Sequence, residues 1–264
     1  MNVKLLLRKY KITPKKSWSQ YFLISQFVIQ EMASYARGIV LEIGPGLGFI
    51  TQELAKRAGK VITIEKDKKM VNILENEYTF DNVEIIKGDI TEMDLPVFDR
   101  VISNIPYHIS SQITFKLLEH EFELGVLSYQ KEFAQRLVMP PSPQVSRLSV
   151  MAQISADCEL LRVISRKNFY PVPKTDCALV KLVPHPKVAT DTFFDNVVTG
   201  LYSHKRKTVR NALLSSVDLT GIARERLKTI QIPYTERRVW SLTLEEICTL
   251  VDVLRPVVSR ELFD

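Results

Sequence analysis

Cysteine is scarce, with three in 264 residues (Cys158, Cys177 and Cys248), scattered and without a C-x-x-C pair. That spacing argues against a disulfide framework and a structural zinc site and fits a reducing compartment, so no metal is expected and a cytoplasmic protein is. No apolar run is long enough to span a bilayer. Leu5-Leu6-Leu7, set among lysines, is too short for the core of a secretory signal. Acidic residues are absent before Glu31, whereas Lys4, Arg8, Lys9, Lys11, Lys15 and Lys16 precede it.

What remains is an ordinary soluble composition, 45% hydrophobic and 25% charged, with a net charge of +6. The charge is concentrated. A second basic stretch between residues 204 and 238 holds Lys205, Arg206, Lys207, Arg210, Arg224, Arg226, Lys228, Arg237 and Arg238 against three acids. Two basic ends around a balanced middle point to a phosphate-rich partner, the alternative being solvated helix faces.

From residue 38 to 130 short apolar strands alternate with helix-length segments: Ile39 to Ile43, Val61 to Glu65, Val83 to Ile86, Phe98 to Ser103 and Leu124 to Tyr129. This order predicts an α/β fold with a parallel, doubly wound sheet, in which ligands sit beyond the carboxyl ends of the strands. Polar residues cluster at those ends: Glu42 to Gly48, Glu65, Asp89 and Asn104. Gly44-Pro45-Gly46-Leu47-Gly48 is not the dinucleotide fingerprint, which needs glycine where Phe49 stands. It suits a nucleoside lacking a pyrophosphate, with a plain tight turn as the alternative. Glu65 is placed to bind ribose hydroxyls, the alternative being a solvated surface charge at a strand end. Asp89 either accepts from an adenine amino group or caps the next helix near Thr91.

Asn104-Ile105-Pro106-Tyr107 combines an amide acceptor, a rigid loop and a flat aromatic face, the parts needed to hold an exocyclic amine for methylation. Asn168-Phe169-Tyr170-Pro171-Val172-Pro173-Lys174 reads either as a packed proline turn or as a second stacking face, Phe169, opposite Tyr107. Two further strands are expected at Cys158 to Ile164 and Cys177 to Val183. Beyond Pro186 only helical patterns follow, which sets a domain boundary near 186: a strand-and-helix domain over 1–186, with residues 1–20 as a basic arm, and a helical domain over 187–264.

Taken in order, Ser19-Gln20-Tyr21-Phe22-Leu23, the Glu42 to Gly48 turn, Glu65, Gly88-Asp89, Asn104 to Tyr107, Gln130 to Arg136, Arg147 to Val150, Phe169 to Lys174 and Lys205 to Asn211 closely resemble the KsgA-type ribosomal RNA adenine dimethyltransferases. The resemblance runs from about residue 15 to 214. It implies a Rossmann-like class I methyltransferase sheet with a small C-terminal all-helical domain. The implied enzyme uses S-adenosylmethionine to methylate N6 of two adjacent adenosines near the 3′ end of small-subunit rRNA during ribosome biogenesis. The implied partners are that rRNA and a pre-30S-type particle, with a monomeric protein and no membrane. By position, Tyr21, Leu23, Gly44, Gly46, Glu65, Asp89 and Asn104 would contact the cofactor. Asn104, Ile105, Pro106, Tyr107 and Phe169 would serve the target adenine, and Lys205, Arg206, Lys207 and Arg210 the RNA. The chain departs from the family pattern at Tyr21, where Asn or His is usual, at Val145-Ser146 and at Thr175. An Erm-type enzyme acting on large-subunit rRNA shares the same motifs, and an assembly factor on the same fold is the non-enzymatic alternative. The basic start at Lys205 and the long helical tail favour the small subunit.

Overall fold

The structure is a computed structural model that describes residues 2–184 and 191–259. The boundary expected near residue 186 lies outside the described residues. By contacts the chain forms two compact units, Met1–Gln135 with Asp157–Pro184, and Arg136–Ala156 with the residues that follow Pro184.

The first unit opens with α1 (Val3–Lys9), a 3-10 turn at Lys16–Trp18 and β1 (Phe22–Leu23). After α2 (Gln26–Ala33), strands and helices alternate: β2 (Ile39–Ile43), α3 (Phe49–Ala55), β3 (Lys60–Glu65), α4 (Lys68–Glu77), β4 (Val83–Lys87), β5 (Arg100–Asn104), α5 (Ser110–Leu118) and β6 (Leu124–Gln130). Helices α6 (Lys131–Val138) and α7 (Arg147–Ser155) lead to β7 (Ala156–Ile164), β8 (Phe169–Tyr170) and β9 (Cys177–Pro184). The seven-stranded sheet has the order β4-β3-β2-β5-β6-β9-β7. Strands β2 to β6 are parallel, as the alternation predicts, and β9 runs antiparallel to β6. The sheet is therefore mixed rather than wholly parallel. The order reverses between β2 and β5, so the cleft at a topological switch point opens beyond Ile43 and Asn104.

Continuous apolar runs fit strands covered on both faces. Val40, Leu41, Val61, Val101, Ile102, Val126 and Leu127 are all buried. The N-terminal stretch is not a free arm, because α1 packs Val3, Leu6 and Leu7 against Leu47, Met70 and Ile73. Lys9 pairs with Glu77 at 2.5 Å.

The second unit is helical, with α8 (Thr192–Ser203), α9 (Val209–Leu214), α10 (Val217–Thr220), α11 (Arg224–Thr229) and α12 (Leu244–Ser259). Asp191 caps α8 by accepting from the Phe194 backbone N–H at 2.8 Å. Helix α7 packs with α8 and α12. Its buried side chains, Val150, Met151, Ala152 and Ile154, explain why Arg136–Ala156 joins the C-terminal helices although it lies within the sequence of the sheet. Among the described residues no helix is long and apolar enough to cross a membrane.

Candidate active site

Parallel pairing of β2, β3, β4 and β5 brings their carboxyl ends to one edge of the sheet, where they border a cavity of about 340 Å³. Every residue assigned to the cofactor from sequence lines it: Tyr21, Leu23, Gly44, Gly46, Glu65, Asp89 and Asn104. Gly46 has φ +56°, and a Cβ there would lie 2.9 Å from Cε1 of Phe22, so glycine is required on both conformational and steric grounds. Gly44 lies against Pro106, whose Cγ would be 3.4 Å from an added Cβ. The glycine turn and the Asn104 loop are thus in near contact.

Glu65 ends β3 buried. Its Oε2 accepts from Gly46 N at 3.1 Å and its Oε1 from Asp67 N at 2.8 Å. Burial pushes its carboxyl up from the ordinary carboxylate range, opposed by those backbone donors. Glu42, on β2, accepts from Thr51 Oγ1 at 2.6 Å. Burial drives its pKa up to about 8, partly countered by Thr51 and reinforced by the charge of Glu65. Asp89 lines the cavity, and its Oδ1 accepts from Thr91 N and Oγ1 at 3.0 and 2.7 Å, closing a turn where the start of a helix was the alternative expected. Burial raises its pKa, but Lys66 Nζ, bonded to Oδ2, and Thr91 outweigh that and hold it at about 2.

Asn104 is the most specific feature. Its Nδ2 donates to the Tyr21 carbonyl at 3.0 Å, which fixes the amide orientation. Its Oδ1 is buried without a hydrogen-bond partner. A buried, unpaired acceptor costs about 1–3 kcal/mol and marks a place where a donor belongs. The Pro106 carbonyl already accepts from Ile109 N at 3.1 Å, so one of its lone pairs is in use.

Three residues assigned to the target base are arranged differently from the sequence expectation. Ile105 is fully buried and does not line the cavity. Phe169 is 1% exposed within the core cluster containing Leu23, its partner across β1 and β8, and so offers no face opposite Tyr107. The packed-turn reading describes it. Tyr107 instead stacks on Tyr21, with centroids 5.4 Å apart and planes 18° from parallel. Its hydroxyl lies 2.8 Å from Cys177 Sγ, and burial raises the pKa of the phenol.

Of the basic set, Lys205 Nζ donates to the Val145 carbonyl at 2.8 Å and Arg210 Nη1 to the Leu227 carbonyl at 2.9 Å. Both act as internal braces. Burial lowers the Lys205 pKa, and Arg206 and Arg136 add to the effect. Arg206 and Lys207 are exposed, Lys207 reaching Ser215 Oγ at 2.8 Å. Sequence reasoning did not single out Trp18, Lys66 or Ile90, which also border the cavity. Trp18 had one available signal, its place beside the Ser19-Gln20-Tyr21 motif, and its ring lies 3.7 Å beneath Lys15 Nζ.

Sheet order, glycine turn and acidic strand ends define a Rossmann-like class I methyltransferase. The model of the family "Ribosomal RNA adenine dimethylase" matches residues 12–255, and the chain belongs to that family. A "Probable ribosomal RNA small subunit methyltransferase A" from Pyrococcus furiosus is 45% identical over 259 residues, 94% of this chain and 95% of that relative. Among solved structures, a dimethyladenosine transferase from Plasmodium falciparum has a TM-score of 0.78 at 28% identity, covering 89% of this chain and 98% of that one. The 23S rRNA methyltransferase ErmE has a TM-score of 0.68 at 25% identity, covering 89% and 99%.

Proposed function

We propose that the chain transfers methyl groups from S-adenosylmethionine to N6 of two adjacent adenosines near the 3′ end of small-subunit rRNA, acting as a monomer on a pre-30S-type particle in the cytoplasm. The observation that carries the reading is the Asn104 carboxamide, held by Tyr21 through its NH₂ and leaving Oδ1 buried and unpaired. An amino group is the donor that satisfies it.

S-adenosylmethionine, when bound, supplies a methyl already activated on a sulfonium. Glu65 would hold the ribose hydroxyls and Asp89 the adenine amino group, while Gly44 and Gly46 let the backbone approach. Asn104 Oδ1 would accept one N–H of the target adenine, turning the nitrogen lone pair out of conjugation and stabilising the positive charge that develops there. The nitrogen, once methylated, would shed its proton to water. Holding nitrogen, carbon and sulfur in line can supply about 7–11 kcal/mol, so no histidine base is required. Arg206 and Lys207 in the second unit are the exposed candidates for phosphate contact, and a helical domain beyond residue 186 would carry them.

Small and large ribosomal subunits lacking the modification, incubated with enzyme and labelled cofactor, test the reading by mass spectrometry of their rRNA. Dimethyladenosine in small-subunit rRNA is expected. Label confined to large-subunit rRNA would establish the Erm-type alternative, and no label in either would remove the enzymatic reading.

A further inference from the structure

The ring stacked on Tyr107 belongs to the chain itself: it is that of Tyr21, which lines the cavity together with Asn104, whereas Tyr107 behind it does not. A base inserted between two rings needs about 6.8 Å, two layers of 3.4 Å. Tyr21 and Tyr107 lie 5.4 Å apart by centroid, which leaves no room for one. Phe169 offers no substitute face, because it is buried in the core.

Tyr107 is held at both ends. Its hydroxyl is against Cys177 Sγ, and its backbone opens the short turn Tyr107–Ile109, closed by the Ile109 N–H on the Pro106 carbonyl. Tyr21 is half-buried against the same core cluster, and no side-chain hydrogen bond to its hydroxyl is seen among the described residues. Two residues before it Ser19 has φ +51°, and the Tyr21 N–H turns back to the Ser19 carbonyl at 2.9 Å. Only the next two residues enter β1. The Tyr21 carbonyl is what orients Asn104. One residue therefore positions the acceptor with its backbone and covers the neighbouring stacking face with its side chain.

We infer that the Tyr21 ring is a stand-in for the target base: it occupies the base subsite on Tyr107 in the ligand-free protein and must swing out for a nucleobase to enter. Its backbone stays in place during the exchange and keeps Asn104 aligned. This inference rests on the proposed reading of the cavity as an adenine N6-methylating site. Stacking of the base on Tyr107 replaces stacking of the phenol, so the strength of the internal ring pair sets a threshold for base entry.

The test is a titration of the intact protein, saturated with S-adenosylhomocysteine, with an RNA stem-loop carrying 2-aminopurine at the target position. Base fluorescence reports stacking in the pocket. Tyr21→Ala should tighten binding roughly three- to tenfold, the range expected for loss of one competing aromatic pair. Tyr21→Phe should match the wild type, and Tyr21→Trp, a better-stacking plug, should bind more weakly. If the ring were instead one wall of a sandwich around the base, the order would invert, with tryptophan tightest and alanine weakest. That order, or equal affinity across the series, overturns the inference. Should Tyr21→Ala melt below the assay temperature, the phenylalanine–tryptophan pair still decides the order. Methyl transfer to a matched strand with adenosine in place of 2-aminopurine is measured alongside. No transfer would refute the proposed function, while the binding order would still judge the ring exchange.

Discussion

Removing the Asn104 side chain separates the catalytic worth of this residue from its structural worth. In Asn104→Ala the fold loses one hydrogen bond, from Nδ2 to the Tyr21 carbonyl, worth about 0.5–1.5 kcal/mol. It also loses Oδ1, an acceptor whose desolvation is uncompensated in the ligand-free protein, and that loss acts in the opposite direction. The two effects offset, so the net change in stability should stay near 1 kcal/mol and the melting temperature should fall by only a few degrees. Turnover behaves differently. Loss of one preorganised group aimed at developing charge costs about 2.7–4 kcal/mol, or roughly 10²–10³ in kcat. The assay is single-turnover methylation of small subunits, with S-adenosylhomocysteine binding and thermal melting measured on the same preparations. The expected result is a collapse of the chemical rate with cofactor-analogue binding still measurable. Turnover within threefold of wild type would refute the placement of the target amine at Oδ1. A loss of rate matched by gross unfolding would refute the account of how stability divides.

The buried Glu42 makes stability depend on pH. Its folded pKa, about 8, exceeds the ordinary carboxylate value of 4.5, so the folded state holds a proton that the unfolded state has lost. Its contribution is complete below pH 4.5, declines as pH rises towards 8 and then levels off. Glu42→Gln should remove that decline, which denaturant unfolding at pH 5, 6.5, 8 and 9 would read. Parallel pH profiles for variant and wild type would discount the assignment. Replacing Arg206 and Lys207 together with glutamine should weaken RNA binding and reduce the slope of log affinity against log salt by roughly 0.7–0.9 for each lost phosphate contact. Lys205 is kept out of that variant because it braces the Val145 carbonyl, and an unchanged slope would take both side chains out of the interface.

The strands, the glycine turn and the convergence of Glu65, Asp89 and Asn104 were legible in the sequence because local rules determine them. Apolar runs of strand length make buried strands, positive φ selects glycine at 44, 46 and 48, and parallel pairing sends successive strand ends to one edge. Alternation could not distinguish an antiparallel β9 from a parallel strand, since both read as short apolar segments. The charge run at 205 to 210 likewise did not reveal which cations face solvent. Lys205 and Arg210 turn to backbone carbonyls supplied by segments remote in sequence.

What the chain alone determined, then, is which groups stand at the strand tips. Only the tertiary structure decided what lies across from each of them. It sank Phe169 into the core through pairing with Leu23, drew Arg136–Ala156 to the C-terminal helices, and laid Tyr21 on Tyr107. The physical reason is that backbone conformation and strand burial depend on near neighbours. Stacking partners and orphaned acceptors depend on contacts between distant segments, which exist only once the chain has packed.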